Sequence, residues 1–383
     1  MACARVGRAL GGRRIGIETD EYTRRRERLG ELLARRGFDA LFVPPGSDLE
    51  YLTGIERDLP TFGQISYAHG WVTGAFLAPG QEPVYVLPRM VVAFHLDGVA
   101  PPRSLVVRED GNGRESFAEA VGEIGSPRRI ALGQRVWAET VIELLAAVPG
   151  AQFEEGSSLV NELRRVKSST ELELMAQACL IARETMDAVT PDVVPGVSMT
   201  RLVERVEQEL RARGSRCPSF PTHIFTWGER RLDSGGPNAG EPLHEGEVVL
   251  FDFGAVWHGY CSDFGRTVAC GEPPADYERV IRVLLEAQEA GRAAAVPGAL
   301  AREVNAACRG PIEAAGLGEG FRHRMGHGIG LDVHEHPFLS VEDETPLEAG
   351  MTFTDEPSIL VDGRFGVRVE DVIEVTPGGG RAL

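Results

Sequence analysis

Apolar and polar positions in the first 150 residues alternate between helical and strand-like spacing. In residues 21–37, Leu29, Leu32 and Leu33 recur at helical spacing among Arg and Glu, and Gly37 is of the type that commonly ends helices. The apolar run at 39–43 predicts a buried strand, and similar runs predict strands at 75–78, 83–87 and 104–107. Helices are predicted at 117–124 and 138–148. Because helices and strands alternate, we expect one α/β layered domain here.

The pattern changes after residue 158 to long amphipathic helices separated by strand-rich segments. Thr170 with a Glu three residues later fits a capping box, and Ser198 is a second predicted helix start. Two further helices are predicted at 274–295 and 300–315. Strand-rich segments are predicted at 247–254, 259–271, 351–355 and 366–375. Together the two halves predict an α/β (α+β) fold.

At 383 residues the chain is long enough for two domains, each with its own hydrophobic core. We expect a variable N-terminus at 1–20, a first domain at 21–157 and a second domain at 158–383. The first 20 residues are basic but have no continuous apolar stretch, so we interpret them as a variable terminus and not as a signal peptide.

The formal net charge of −17 at pH 7 excludes some classes of partner. Nucleic acids and anionic membranes require a basic face, so we expect neither as a partner. No window approaches the roughly 18 apolar residues that a membrane-spanning helix needs. None of the six cysteines forms a Cys-x-x-Cys pair, so we expect reduced, mostly buried thiols and a cytoplasmic location.

Two aspartates occupy positions where a free carboxylate is unfavourable. Asp252 lies in the otherwise apolar run 248–254, and Asp263 follows eleven positions later beyond a glycine-containing turn. Two antiparallel strands joined by that turn would bring the carboxylates together, where they repel unless a cation lies between them. Taken alone, the pair has an alternative interpretation as turn or salt-bridged aspartates.

Two glutamates and a histidine add to this set. Glu356 follows a predicted strand, Glu370 is predicted inside one, and His327 lies in a loop with three neighbouring glycines that leave its imidazole accessible. A lone His is more often a core residue, but here it accompanies four misplaced carboxylates. Four carboxylates and one imidazole suit two divalent cations about 3.5–4 Å apart, most readily Mn²⁺, with Co²⁺ or Zn²⁺ as alternatives.

The order of these motifs resembles a known family. Asp252 and Asp263 are followed by Gly-His-Gly-Ile-Gly-Leu at 326–331, Thr-Asp-Glu-Pro at 354–357 and Val-Arg-Val-Glu-Asp at 367–371. This order resembles the pita-bread metallopeptidases, which include methionine aminopeptidase, aminopeptidase P and prolidase, with creatinase as a relative. Segments 22–54 and 159–167 are similar to the creatinase/prolidase N-terminal domain and its link, so the resemblance covers nearly the whole chain after residue 20.

The resemblance implies a division of roles among the five metal-binding candidates. Asp252 would chelate one cation, Asp263 and Glu370 would bridge both, and His327 and Glu356 would hold the other. The implied reaction is peptide hydrolysis by a metal-activated water, with Glu356 as the group that takes the water proton. The resemblance also suggests a homodimer and a short peptide or another small molecule as substrate.

Further residues take supporting roles by the same resemblance. His334, seven positions after His327, would position the substrate or move a proton, although a surface His on a turn is the alternative. Arg368 would brace the metal ligands. Thr267 and Tyr260 would also support them.

The chain departs from the family around residues 227–244. Xaa-Pro peptidases carry a further His about seventeen positions before the first metal Asp, where this chain has Gly235. His223 is the favoured replacement and His244 the less favoured one, and Ser358 stands where the family prefers Gly. The predicted function is an Xaa-Pro dipeptidase or aminopeptidase; creatinase-like C–N hydrolysis or a lyase reaction on a small polar metabolite is the alternative. A non-catalytic binding module is disfavoured because all five ligand candidates are present.

Overall fold

The computed structural model describes residues 16–57 and 67–383, so most of the predicted variable N-terminus lies outside the described residues. The chain forms two compact units, one spanning Ile17–Arg164 and the other including Arg165–Leu383. Among the described residues, no helix is both long enough and apolar enough to cross a membrane.

The first unit alternates helices and strands, as predicted. Its elements are α1 Thr19–Arg36, β1 Ala40–Val43, α2 Ser47–Thr53, β2 Gly74–Leu77, β3 Val84–Pro88, α3 Arg89–His95, β4 Ser104–Val107, α4 Gly113–Glu123, β5 Arg129–Leu132, α5 Ala138–Ala147, β6 Gln152–Glu155 and α6 Ser157–Arg164. In the described part of this unit the strands form one mixed sheet in the order β4-β3-β2-β1-β5-β6.

Local chemistry explains the start of this unit. Helix α1 buries Leu29, Leu32 and Leu33 and ends at Gly37, whose φ of 72° lies in the left-handed region that glycine adopts without strain. Strand β1 follows at once and is buried along its whole length. Phe42 and Phe76 from adjacent strands pack with their ring centroids 4.9 Å apart, which anchors the core of this unit.

In its described residues, the second unit combines four long helices with several small sheets. Its elements are α7 Ser169–Val189, α8 Met199–Ala212, β7 His223–Thr226, β8 Val248–Phe253, β9 Val256–Trp257, β10 Tyr260–Cys261, β11 Phe264–Ala269, α9 Tyr277–Ala294, α10 Ala301–Ala314, β12 Gly326–Gly328, β13 Glu335–Leu339, β14 Thr352–Asp355, β15 Ser358–Val361, β16 Phe365–Arg368, β17 Asp371–Thr376 and β18 Gly379–Ala382. The two larger sheets among the described residues have the orders β11-β8-β7 and β13-β12-β14-β17-β18.

Two helix starts test the capping predictions. Ser198 is the N-cap of α8 and accepts a hydrogen bond from the backbone N–H of Arg201, so that prediction is confirmed. The capping box of α7 is formed by Ser168 and Glu171, so its prediction at Thr170 was wrong. Thr170 already lies inside the helix, whereas Ser168 has the extended backbone that a capping side chain requires.

The helices of the second unit cover both sheets. Helices α7 and α8 pack on the sheet of β7, β8 and β11 through Met186, Leu202 and Phe251. Helices α9 and α10 pack on the larger sheet through a separate apolar cluster that includes Leu284 and Phe353. The carboxylates described below therefore lie on, or directly beside, strands that are fixed in two apolar cores.

Candidate active site

Asp252 and Asp263 are brought together by antiparallel strands. Asp252 lies within β8 opposite Gly265 of β11, and Asp263 immediately precedes β11. Because alternate residues of a strand point to the same face, Asp263 and Gly265 share the face on which Asp252 lies. The two aspartates are therefore diagonal neighbours, which is the proximity that their sequence positions suggested.

Glu370 reaches the same place from a different sheet. It was predicted inside a strand, but it lies in the break between β16 and β17 and forms an isolated bridge to Gly265. The Glu370 N–H donates to the Gly265 carbonyl at 2.9 Å, and a Cβ at Gly265 would lie 2.8 Å from the Glu370 carboxylate. A side chain at position 265 would therefore collide with the Glu370 carboxylate, which explains the glycine at this position.

The orientation of His327 is set by its backbone surroundings. Its Nδ1 lies 3.0 Å from the Gly328 carbonyl, and since a carbonyl only accepts hydrogen bonds, Nδ1 carries the proton. The unprotonated Nε2 faces Asp263 Oδ2 at 3.6 Å and Glu356 Oε1 at 3.4 Å. Burial lowers the pKa of His327 to about 3, so the ring is a neutral electron-pair donor at pH 7.

Glu356 directly follows β14, as predicted. Its backbone N–H donates to the Met325 carbonyl at 2.9 Å, and the Thr354 hydroxyl donates to its Oε1 at 3.2 Å. Burial raises the pKa of Glu356 to about 7. The strand and these hydrogen bonds hold the carboxyl next to His327.

The electrostatics of this cluster are those of a site built for a cation. Burial raises the pKa of Asp263 and of Glu370 well above their ordinary values, and the neighbouring carboxylates raise both further. Asp263 Oδ1 and Glu370 Oε2 are buried without a hydrogen-bond partner in the described part of the chain. Asp263, His327 and Glu370 offer donor atoms within 4.8 Å of one another, so these residues fit a divalent cation.

Arg368 and Thr267 stabilise this arrangement. The partly buried Arg368 guanidinium forms an ion pair with Asp252 and lies 3.9 Å from Glu370 Oε2. The Thr267 hydroxyl donates to the Arg368 carbonyl at 2.8 Å and accepts from the Arg368 N–H at 2.7 Å. The Tyr260 hydroxyl instead donates a hydrogen bond to Glu171, which belongs to the capping box of α7 and not to the carboxylate cluster.

The remaining predicted histidines differ in their distance from the cluster. His334 is an exposed residue on a bend, and its ring lies 4.0 Å from that of His327, centroid to centroid. Partial desolvation, followed by the charge of Arg324, lowers the pKa of His334. His223 pairs with Asp252 across β7 and β8, and its Nε2 lies 3.2 Å from Asp233. His223 lines the cavity that opens over the carboxylate cluster, whereas His244 is exposed on a loop.

A cavity of about 410 Å³ opens over the cluster and contains residues that the sequence analysis missed. Its walls include Phe220, Val333, His323 and Arg324. The His323 Nδ1–H donates to the Arg324 carbonyl, so its Nε2 accepts from the Ser358 hydroxyl at 2.5 Å. The available signal was a second His four positions before His327, and the unexpected Ser358 is its partner.

Comparisons with known proteins agree with this geometry. The model of metallopeptidase family M24 matches residues 173–377, which is more than half of the chain. The chain belongs to metallopeptidase family M24. The creatinase/prolidase N-terminal domain matches residues 25–166. The chain is thus a peptidase with the pita-bread catalytic fold, and these expectations are confirmed. The M24 family binds divalent metals, in agreement with the candidate cluster of Asp263, His327 and Glu370.

Individual M24 relatives match over nearly the full length. The Mycobacterium tuberculosis protein named "Probable dipeptidase PepE" is 31% identical over 372 residues, covering 97% of this chain and 96% of the relative. The Xaa-Pro dipeptidase structure from Bacillus anthracis has a TM-score of 0.81 at 28% identity, covering 94% of this chain and 97% of that one. A dipeptidase structure from Pyrococcus horikoshii has a TM-score of 0.82 at 30% identity, with coverages of 94% and 97%.

Proposed function

We propose that this M24 enzyme is a metal-dependent Xaa-Pro dipeptidase. The observation that carries the proposal is the pair of buried oxygens, Asp263 Oδ1 and Glu370 Oε2, that lack a partner among the described residues beside the open Nε2 of His327. Relatives named as dipeptidases or as a probable dipeptidase match over 94% to 97% of the chain and support the substrate class. A cavity of about 410 Å³ is of a size suited to a small ligand.

The proposed metal centre uses five side chains and two cations. Asp252 would chelate one ion, Asp263 and Glu370 would bridge both, and His327 and Glu356 would hold the other. The arrangement of oxygen donors with one imidazole favours Mn²⁺, with Co²⁺ or Zn²⁺ as substitutes. When bound, the cations would acidify a water molecule and polarise the substrate carbonyl.

The chain's own residues would complete the reaction. Glu356 would take the proton of the attacking water and pass it to the leaving nitrogen, a task that suits a carboxyl in reach of the carbonyl. His334, whose ring is tilted against that of His327, would donate a hydrogen bond to the oxygen that gains charge. Arg368 would keep Asp252 in its ligating orientation, and His223 would contact the substrate from β7.

Two further features belong to the proposal. Buried free thiols at Cys179 and Cys308 suit a reducing compartment, which supports a cytoplasmic enzyme. The homodimer that the family resemblance suggests also belongs to the proposal.

The proposal is tested by metal analysis and a dipeptide panel. Protein purified without added metal is analysed for bound cations, stripped with a chelator and reloaded, and release of proline from Xaa-Pro dipeptides is measured. We expect activity only with metal, and loss of metal and turnover in Asp263→Asn. The partly exposed Asp276, paired with Arg364 away from the cavity, offers Asp276→Asn as a control that keeps both metal and turnover. Turnover of guanidino or sulfonium compounds in place of dipeptides, or full activity of Asp263→Asn after chelation, contradicts the proposal.

A further inference from the structure

We propose that Arg292 is a positioning residue that fixes two glutamates of the metal centre by bridging the aspartates next to them. The aspartates are Asp355, which precedes Glu356, and Asp371, which follows Glu370. The inference rests on the metal centre of the proposed function but not on the substrate assigned to it. It gives a role to charged side chains behind the site that the proposed mechanism does not use.

Asp355 and Asp371 form the last pair of the ladder between β14 and β17. They stand directly opposite each other in the antiparallel register, where Asp355 is fully buried and Asp371 is partly exposed. Two carboxylates at opposite positions of neighbouring strands destabilise a sheet, and burial increases that cost. The pair therefore needs a neighbouring cation or a shared hydrogen-bond donor.

Helix α9 supplies that cation. Arg292 Nε lies 3.2 Å from Asp355 Oδ2, and Arg292 Nη2 lies 3.2 Å from Asp371 Oδ2. Gln288, one helical turn earlier, donates to the Asp355 carbonyl at 3.1 Å and to Asp371 Oδ2 at 3.3 Å. Burial raises the pKa of Asp355 to about 8, but Oδ2 accepts in either protonation state, because Oδ1 has no partner among the described residues and can carry the proton. The bridge thus does not depend on the ionisation of Asp355.

The two segments that carry the glutamates separate beyond this pair. The Glu356 N–H donates to the Met325 carbonyl at 2.9 Å, whereas the Glu370 N–H donates to the Gly265 carbonyl at 2.9 Å. The pairing of β14 with β17 in the described chain does not extend to the glutamates. The bridged pair is therefore the point from which both glutamates leave the sheet, and its width sets the distance between their backbones.

Arg266 connects the bridge to the strand beside the aspartate ligands. Its Nη2 donates to Asp371 Oδ1 at 2.7 Å, and its Nη1 donates to the Glu370 carbonyl at 2.7 Å. Arg266 lies in β11, which pairs with β8 at Asp252. Asp371 is thus held from α9 and from β11, and Arg292 extends this hold to Asp355.

The test measures metal binding by the folded protein. Mn²⁺ affinity of the metal-stripped wild type, Arg292→Met and Arg292→Lys is measured by calorimetry well below the Tm of each protein, and the electron paramagnetic resonance spectrum of bound Mn²⁺ is recorded at full occupancy. Arg205→Met is the matched control. Arg205 bridges Asp192 and Glu209, and its side chain is 29% exposed against 22% for Arg292, but neither carboxylate is next to a metal-ligand candidate.

We expect Arg292→Met to bind Mn²⁺ about 10- to 100-fold more weakly than the wild type, as when other residues that orient metal ligands are replaced. Arg292→Lys keeps the charge but not the planar fork, so it should lose about 3- to 10-fold. The spectrum of bound Mn²⁺ should change in Arg292→Met, because the ligand geometry changes. Arg205→Met should keep the wild-type affinity and spectrum, although it also loses a half-buried bridge.

Two results overturn the inference. One is a wild-type affinity and spectrum in Arg292→Met, and the other is an equal loss of affinity in Arg205→Met, which would show a general effect of stability. If Arg292→Met does not fold, Arg292→Lys decides, and a wild-type affinity in that variant overturns the inference.

The two proposals fail separately. If Mn²⁺ binds but no Xaa-Pro dipeptide is hydrolysed, the assigned substrate is wrong, and calorimetry still decides the role of Arg292. If Xaa-Pro dipeptides are hydrolysed with metal but Arg292→Met binds Mn²⁺ as the wild type does, only the inference about Arg292 is wrong. A wild type that binds no divalent cation refutes both.

Discussion

Replacing Glu370 by Gln should stabilise the metal-free protein while abolishing its response to metal. Glu370 is 1% exposed and faces Asp263, so its ionised form is unfavourable without a cation. An inadequately compensated buried charge costs about 3 kcal/mol, which Gln would remove. At roughly 2–4 °C per kcal/mol for a domain of this size, the Tm of the metal-free variant should rise by about 6–12 °C at pH 8.

The pH dependence follows from the direction of the pKa shift. Burial raises the pKa of Glu370 in the folded state, so the folded protein favours the protonated carboxyl. This contribution to stability is fully present below the unfolded pKa of about 4.3 and is lost as the pH rises through the folded pKa. Burial raises the pKa of Glu356 to about 7, so its protonated carboxyl also contributes stability that is lost as the pH rises from about 4.3 to about 7. Metal-free wild type should therefore lose stability from about pH 4.5 upward, and Glu370→Gln should lose less.

Metal should stabilise the wild type more than it stabilises Glu370→Gln. A cation present at 100 times its Kd stabilises the wild type by about 2.7 kcal/mol, because it binds only the folded state. Glu370→Gln lacks a charged ligand, so it should bind the cation weakly and gain little. Thermal unfolding with and without Mn²⁺ at pH 5 and pH 8 measures both effects.

Glu374→Gln is the matched control for this experiment. Glu374 lies four positions on, in β17, and is paired with Arg381 away from the cavity. Its replacement should leave the metal-induced rise in Tm as large as in the wild type. A Glu370→Gln protein that is less stable than the metal-free wild type at pH 8, or that metal stabilises equally, would refute the electrostatic reasoning.

Two further substitutions test the cavity walls. His334→Gln should lower kcat by about 10²- to 10³-fold with a smaller change in KM, as for loss of one donor to a developing oxyanion. His336→Gln, at a residue that is equally exposed but does not line the cavity, should keep both. Steady-state kinetics decide, and a kcat of His334→Gln within twofold of wild type would contradict the role. Ser358→Ala should cost about 1–3 kcal/mol of unfolding free energy, since the half-buried Nε2 of His323 loses its donor, with metal affinity unchanged; urea denaturation measures this, and an unchanged midpoint would contradict it.

Local sequence was sufficient for most secondary-structure elements. Helix α1 and its end at Gly37 follow from apolar spacing and a backbone conformation that favours glycine. The start of α8 follows from Ser198, whose hydroxyl caps the helix. The start of α7 was misassigned because both Ser168 and Thr170 fit the capping pattern, and only the backbone conformation distinguishes them.

Departures from expected burial were the most informative feature of the sequence for function. Asp252, Asp263, Glu356 and Glu370 stood out because carboxylates among apolar residues need a compensating cation. His323 and Arg324 did not stand out, since a His and an Arg in a polar loop are ordinary surface residues until the loop is seen to line a cavity. Ser358 was noted only as a departure from Gly, and its partner could not be inferred from a position 35 residues away.

Residue type and local spacing therefore determined the helices, most strands and the candidate donor atoms, because those depend on backbone preference and on the cost of burying charge. Tertiary structure alone decided which donors meet. It bridges Glu370 to Gly265 between two sheets, leaves the Nε2 of His327 open by bonding its Nδ1 to a carbonyl, and places Arg324 on Phe338 without an ion partner among the described residues. These contacts join strands and loops that are far apart in the chain, so they cannot be predicted from local sequence preference.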